Sequence, residues 1–181
     1  MASQGPNSPG TIVNDNSFGT IAWSNPANAA SSNNVYAIAF SFGGGVSNYL
    51  KATNFGFSIP SGATIDGIKV TIEAQTSAGS TNDSTVKLVK SGLVLGSNLG
   101  TSLPWNNVSD STRTYGSSSN LWGLSWTDAD INDSTFGVAY SSTLTAGKSG
   151  ARNRCDYISI TVYYTTGSGP TSASALLLAG D

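Results

Sequence analysis

Apolar residues recur at every second position through much of the chain. Tyr36, Ile38, Phe40 and Phe42 share one face of a strand, with Val35, Ala37, Ala39 and Ser41 on the other, until Gly43-Gly44-Gly45 breaks the run. Leu50 to Phe57 reads as a second strand, interrupted near Gly56. After the turn Ile59-Pro60-Ser61-Gly62-Ala63, Ile68, Val70, Ile72 and Ala74 face one way and Lys69, Thr71 and Glu73 the other, the pattern of a half-buried strand in an antiparallel sheet. Thr85 to Val89 and Leu93 to Gly96 flank Lys90-Ser91-Gly92 as a hairpin. Phe136, Val138 and Tyr140 mark a further strand, and Ile158, Ile160, Val162 and Tyr164 the last, with Tyr157, Ser159, Thr161 and Tyr163 opposite. No window sustains a helical period. A single turn, Thr127 to Asn132, has Thr127 as N-cap and acids in its first turn. Eight or nine strands at regular turn spacing predict an all-β fold, an antiparallel two-sheet β-sandwich of jelly-roll type.

The two ends differ from this body. Residues 1–17 hold Ser, Asn, Gly and Pro with little to bury and read as an extended N-terminal arm; 18–166 is the sandwich; 167–181 is a linker and tail of small residues carrying Leu176, Leu177 and Leu178. Burying three leucines returns about 5 kcal/mol. Fixing some fifteen residues costs about 1–2 kcal/mol each in backbone entropy. An ordered tail therefore needs main-chain pairing as well, such as strand addition to a neighbouring copy.

Composition narrows the chemistry. The 181 residues include 8 Lys plus Arg, 10 Asp plus Glu and no histidine; 10% are charged, against about 25% in an average domain. So few basic residues argue against nucleic acid as a partner. Without histidine, imidazole bases and ligands are excluded. One cysteine, Cys155, supplies neither an internal disulfide nor a Cys-rich zinc site. The N-terminal Met1-Ala2-Ser3-Gln4-Gly5-Pro6 shows no signal-peptide pattern, and the longest apolar tract near either end, Ala175 to Ala179, is far too short to span a membrane.

Each candidate for chemistry has a plainer structural reading. Asp128, Asp130, Asn132 and Asp133 have calcium-loop spacing, but the places that want Gly and a bidentate Glu hold Asp133 and Ala139, so a capped helical turn explains them and no metal site is expected. Glu73, the only glutamate, sits on a polar strand face with Lys69 and Thr71, not in a paired-carboxylate cleft. Cys155 lies near Arg152 and Arg154 but has no histidine to take its proton, so it reads as a structural thiol. No catalytic residue and no cofactor is expected. Trp105, Trp122 and Trp126, with Tyr115, and Asn106, Asn107 and Asn120 to bond hydroxyls, are a candidate platform for a sugar ring. Since Trp122, Leu124 and Trp126 alternate on one strand face like the edge of a core, Trp105, Tyr115, Asn106 and Asn107 are the candidate site.

The run Phe57-Ser58-Ile59-Pro60-Ser61-Gly62-Ala63-Thr64-Ile65-Asp66-Gly67-Ile68-Lys69-Val70, then Leu121-Trp122-Gly123 to Trp126, Asp130-Ile131-Asn132, Phe136-Gly137-Val138-Ala139 and Ile158 to Tyr164 resembles a group of jelly-roll domains of tailed bacteriophages and bacterial surface proteins, over about residues 18–164. The resemblance implies a virion accessory protein (capsid decoration, head fibre or tail appendage). It would be assembled in the host cytoplasm, with copies of itself and other virion proteins as partners through the terminal arms, and it carries over no catalytic residue. The alternative is a carbohydrate-binding or receptor-binding sandwich module with a host-surface glycan as partner.

Overall fold

The computed structural model describes residues 1–147 and 149–167. Period-two alternation of β-branched residues builds the two longest strands, β7 (Thr64–Ala78) and β12 (Ala151–Thr165), which pair antiparallel along nearly their whole length. They centre a first sheet in the order β10 (Ser111–Gly116), β7, β12, β4 (Ala37–Ser41), β3 (Trp23–Ser24). The far edge of β12 is shared: β4 pairs with Ala151 to Cys155, and β1 (Ala2–Asn7) with Ile160 to Tyr164.

The second sheet runs β2 (Thr11–Asp15), β6 (Tyr49–Thr53), β11 (Gly137–Thr145), β8 (Ser80–Lys90), β9 (Leu93–Leu95), with β5 (Gly45–Val46) also on β11. All named pairs are antiparallel, so the fold is an all-β, jelly-roll-like sandwich. The expected hairpin forms as β8–β9, where Ser91 and Gly92 both take positive φ, as a tight two-residue turn requires.

The core lies between the sheets. Ile68, Val70, Ile72, Ile158, Ile160 and Val162 from the first face Leu50, Val86, Leu88, Val138 and Tyr140 from the second, all with no solvent exposure. Each aliphatic side chain of this kind contributes about 1.5–3 kcal/mol relative to exposure. A one-residue slip would turn a whole row outward, so these rows fix the register. Helix α1 (Asp128–Asn132) forms where expected, with Thr127 and Asp130 in a reciprocal capping box.

Two elements differ from the sequence expectation, and in a third the structure decides which strand face is the inner one. Residues 1–17 are built into both sheets: β1 lies on β12 and β2 on β6. Main-chain pairing and polar side chains hold them, with Asn7 Nδ2 donating to the Phe55 carbonyl at 2.9 Å and Gln4 Oε1 accepting from the Ser58 amide at 2.9 Å. In β4 the small face is the inner one: Ala37 and Ala39 are fully buried while Phe42, just beyond the strand, is 76% exposed. Trp23, paired with Ala39 and packed against Tyr140, fills the space that alanine leaves. Trp122, Leu124 and Trp126 lie in turn, bend and irregular backbone rather than on a strand; Trp122 has φ 60° and is buried, its Nε1 donating to the Ile68 carbonyl at 2.9 Å. The tail leucines Leu176, Leu177 and Leu178 lie outside the described residues.

Candidate functional site

Trp105 and Tyr115, chosen from the sequence as a sugar platform, come together, but inside the protein. Both are 3% exposed. Their common partner is Asp83 on β8: Trp105 Nε1 donates to Oδ1 at 2.9 Å and the Tyr115 hydroxyl to Oδ2 at 2.8 Å, where the Thr101 amide also donates at 3.0 Å. Arg113 stands 3.5 Å from Oδ2, with its guanidinium 4.0 Å from the centre of the Trp105 ring. Burial, then the Asp83 charge, push the Tyr115 phenol far above its ordinary range. A stacking platform needs a free ring face, and here Arg113 already covers that of Trp105. Asn106 and Asn107 are exposed, but the Asn106 side chain accepts from the Val108 amide at 2.8 Å and shapes its own turn. The cluster ties β8, β10 and the loop before β10 together.

The other sequence candidates are likewise engaged in the fold. Asp130 caps α1 and pairs with Lys90 at 3.0 Å; Asn132 clamps Ile59 by bonds to both its amide and its carbonyl, at 2.7 and 2.9 Å. Cys155 is fully buried, and burial pushes its thiol up, so little thiolate exists near neutral pH.

An open concave feature lies on the outer face of the second sheet. It is a shallow groove of about 510 Å³, lined by Asp15, Phe18, Tyr49 and Lys51 on one side and Leu93 to Leu95 on the other. Alternation explains it. Val138 and Tyr140 of β11 point into the core, which turns Ala139 outward; it packs with Val89, Val94 and Tyr49 in a small second apolar cluster. A small residue on the central strand leaves a depression between taller neighbours.

Phe18 lies flat on Tyr49, with ring centroids 4.8 Å apart and planes 15° from parallel. Tyr49 is 9% exposed and Phe18 37%, so the tyrosine supports a phenyl ring whose other face is open. Burial raises the Tyr49 phenol above its usual range. Beside the rings, Lys51 Nζ meets Asp15 Oδ2 at 2.5 Å, and Asp15 Oδ1 accepts from the Ser17 amide at 2.9 Å. The Lys51 bond, followed by Ser17, lowers the Asp15 carboxyl from 3.8 to about 2. This side of the groove thus offers an open aromatic face next to a neutralised ion pair with spare donor and acceptor capacity. The opposite wall is apolar, with Leu93 64% exposed.

Sequence reasoning missed this groove because its lining comes from three separate stretches. Phe18 fell at the supposed boundary of the arm. The available signal was the Asn14-Asp15-Asn16-Ser17-Phe18 run, an Asp turn delivering an aromatic residue.

The Asp15–Lys51 pair makes a testable statement. Because the folded carboxyl titrates below its unfolded value, its stabilising contribution is complete above about pH 3.8 and is lost as pH falls through about 2. In Lys51→Met the Asp15 midpoint moves back toward 3.8, read by carboxyl carbon NMR between pH 1.5 and 6. An unmoved midpoint would show that the pair does not form in solution.

No protein-family model matches the chain, and no curated protein matches it. Solved structures with a similar arrangement include the CBM22-1 xylan-binding domain from Paenibacillus barcinonensis Xyn10C, at 10% identity and TM-score 0.43, covering 91% of this chain and 95% of that one. A structure described as CBM4 structure and function matches at 13% identity and TM-score 0.38, over 72% of this chain and 85% of that one. The N-terminal cellulose-binding domain of Cellulomonas fimi β-1,4-glucanase C matches at 14% identity and TM-score 0.27, over 87% and 88%. Similarity at this distance carries no functional assignment. None of these matches bears on a virion role or on self-association.

Proposed function

We propose that the protein is a non-catalytic sandwich module that binds a neutral glycan in the groove on the outer face of its second sheet. The observation that carries the reading is Phe18, held flat on Tyr49 beside the Asp15–Lys51 pair. A pyranose presents an apolar C–H face and a rim of hydroxyls. The phenyl face takes the first, and the paired carboxylate and ammonium, each able to make further hydrogen bonds, take the second. A volume of about 510 Å³ is within the ordinary range for small-molecule sites, and its shallow shape suits a chain lying across a sheet. Since Lys51 is already neutralised and the chain has a net charge of -2, a neutral sugar fits better than an acidic one.

The test is affinity electrophoresis against a panel of neutral polysaccharides, followed by calorimetry on whichever one retards the protein. Phe18→Ala is expected to weaken binding about tenfold or more, the loss of one aromatic anchor (about 1.4 kcal/mol per tenfold), while the melting temperature changes little. Trp105→Ala, by contrast, should act through stability, not through direct contact. Full affinity in Phe18→Ala, or a protein that ignores the whole panel, would defeat the reading.

A further inference from the structure

We infer that Glu73, Asp110 and Asp156 form a binding site for a hard divalent cation, calcium by the chemistry of its donors, on the outer face of the first sheet and separate from the groove.

The site arises from an irregularity in the longest strand pair. Cys155 pairs with Ala74, but the next residue of β7, Glu73, pairs with Tyr157, so Asp156 is the extra residue of a β-bulge. Cys155 and Ile158 both point into the core. The two residues between them, Asp156 and Tyr157, are therefore both turned outward, the face that Glu73 also occupies because Ile72 and Ala74 point in. Without the bulge, strict alternation from Ile158 would send Asp156 inward. Bulges commonly re-aim a side chain next to a site. Asp110, immediately before β10, reaches the same place from the other flank of β7, and one carboxylate oxygen from each of the three lies within 4.8 Å of the others.

Geometry alone would be only a cluster of acids. The second observation is that Asp156 is 1% exposed, yet its Oδ1 has no hydrogen-bond partner, and the buried Oδ1 of Asp110 has none either. The remaining oxygens are engaged: Asp156 Oδ2 accepts from the Asn33 amide at 3.1 Å, and Asp110 Oδ2 from the Tyr36 hydroxyl at 3.0 Å. Among the described residues, no Lys or Arg nitrogen comes within 4 Å of any of the three carboxylates. The Arg154 guanidinium lies over the Tyr36 ring instead. Two buried carboxylate oxygens without donors are costly, and three carboxylates side by side repel one another. A cation removes both penalties at once. All the donors are oxygens, which selects a hard ion. Calcium accepts several carboxylate oxygens in a flexible geometry, whereas magnesium demands near-ideal octahedral coordination and gives up its water reluctantly. The sequence concealed the site because its three ligands lie far apart along the chain and only a bulge aligns them.

The experiment uses the full chain, stripped with EDTA and dialysed. Calcium is titrated by calorimetry and by melting temperature at pH 7.5. Terbium is followed by emission excited through tyrosine, Tyr36 being hydrogen-bonded to a ligand. The expected result is one ion per chain, a melting temperature several degrees higher in millimolar calcium, and a much weaker response to magnesium. Glu73→Gln keeps its half-buried position and shape and should bind calcium at least tenfold more weakly, while melting, without calcium, no lower than the wild type. Phe18→Ala should bind calcium normally, which separates this site from the glycan reading. The proposal is overturned if the wild type shows neither heat nor terbium emission. It is equally overturned if Glu73→Gln and Asp110→Asn bind like the wild type. Neutral variants that melt higher while the wild type ignores calcium would mean that the acids share a proton instead.

Discussion

Replacing Asp83 by alanine is expected to lower the melting temperature by about 10 °C. Its side chain has no solvent exposure, and it accepts from Trp105, Tyr115 and the Thr101 amide while facing Arg113. Alanine leaves two buried side-chain donors and a guanidinium without their acceptor, and removing one partner of a buried charged network costs about 3–5 kcal/mol. In a domain of this size each kcal/mol moves the transition by about 2–4 °C. Asp83→Asn retains one acceptor oxygen and the packing but loses the charge, and should fall between the two. Thermal melts of the three proteins at pH 7 decide the matter. An alanine variant within about 2 °C of the wild type would mean that the cluster contributes no net stability.

Gly137→Ala has a different origin and an effect at least as large. Gly137 begins β11 opposite Thr53 of β6 and Val89 of β8. A Cβ there would lie 1.9 Å from the Ala52 carbonyl oxygen and 3.0 Å from the Thr53 Cα, both backbone atoms. No rotamer relieves such an overlap; β6 must move away from β11. The expected destabilisation exceeds about 4 kcal/mol, in the diagnostic tail of single substitutions. Because Tyr49 and Lys51 belong to β6, the glycan affinity proposed above should fall along with stability, unlike in Phe18→Ala, where binding alone is expected to suffer. Urea titration followed through tryptophan fluorescence measures the first and calorimetry the second. A Gly137→Ala protein as stable as the wild type would show that these strands are not packed as described.

The period of two along residues 68–74 and 158–164 was enough to define the middle of the central strands, because each alternate residue there carries a β-branched or apolar group that only a buried face can accept. The Ser91–Gly92 turn and the Thr127–Asp130 cap were equally local, each specified by the conformational needs of adjacent residues. Those features determined the all-β class, and the lack of histidine excluded imidazole chemistry. Tertiary structure decided the rest. It drew residues 1–17 into both sheets through main-chain hydrogen bonds, which composition cannot reveal. It turned Trp105 and Tyr115 inward because a buried carboxylate from β8 satisfied their polar ends. It also set an open phenyl ring on Tyr49, and it used one inserted residue to bring three distant acids together. Periodicity reports which face a residue takes. Which faces meet, and which charges become neighbours, depends on contacts between segments far apart in the chain.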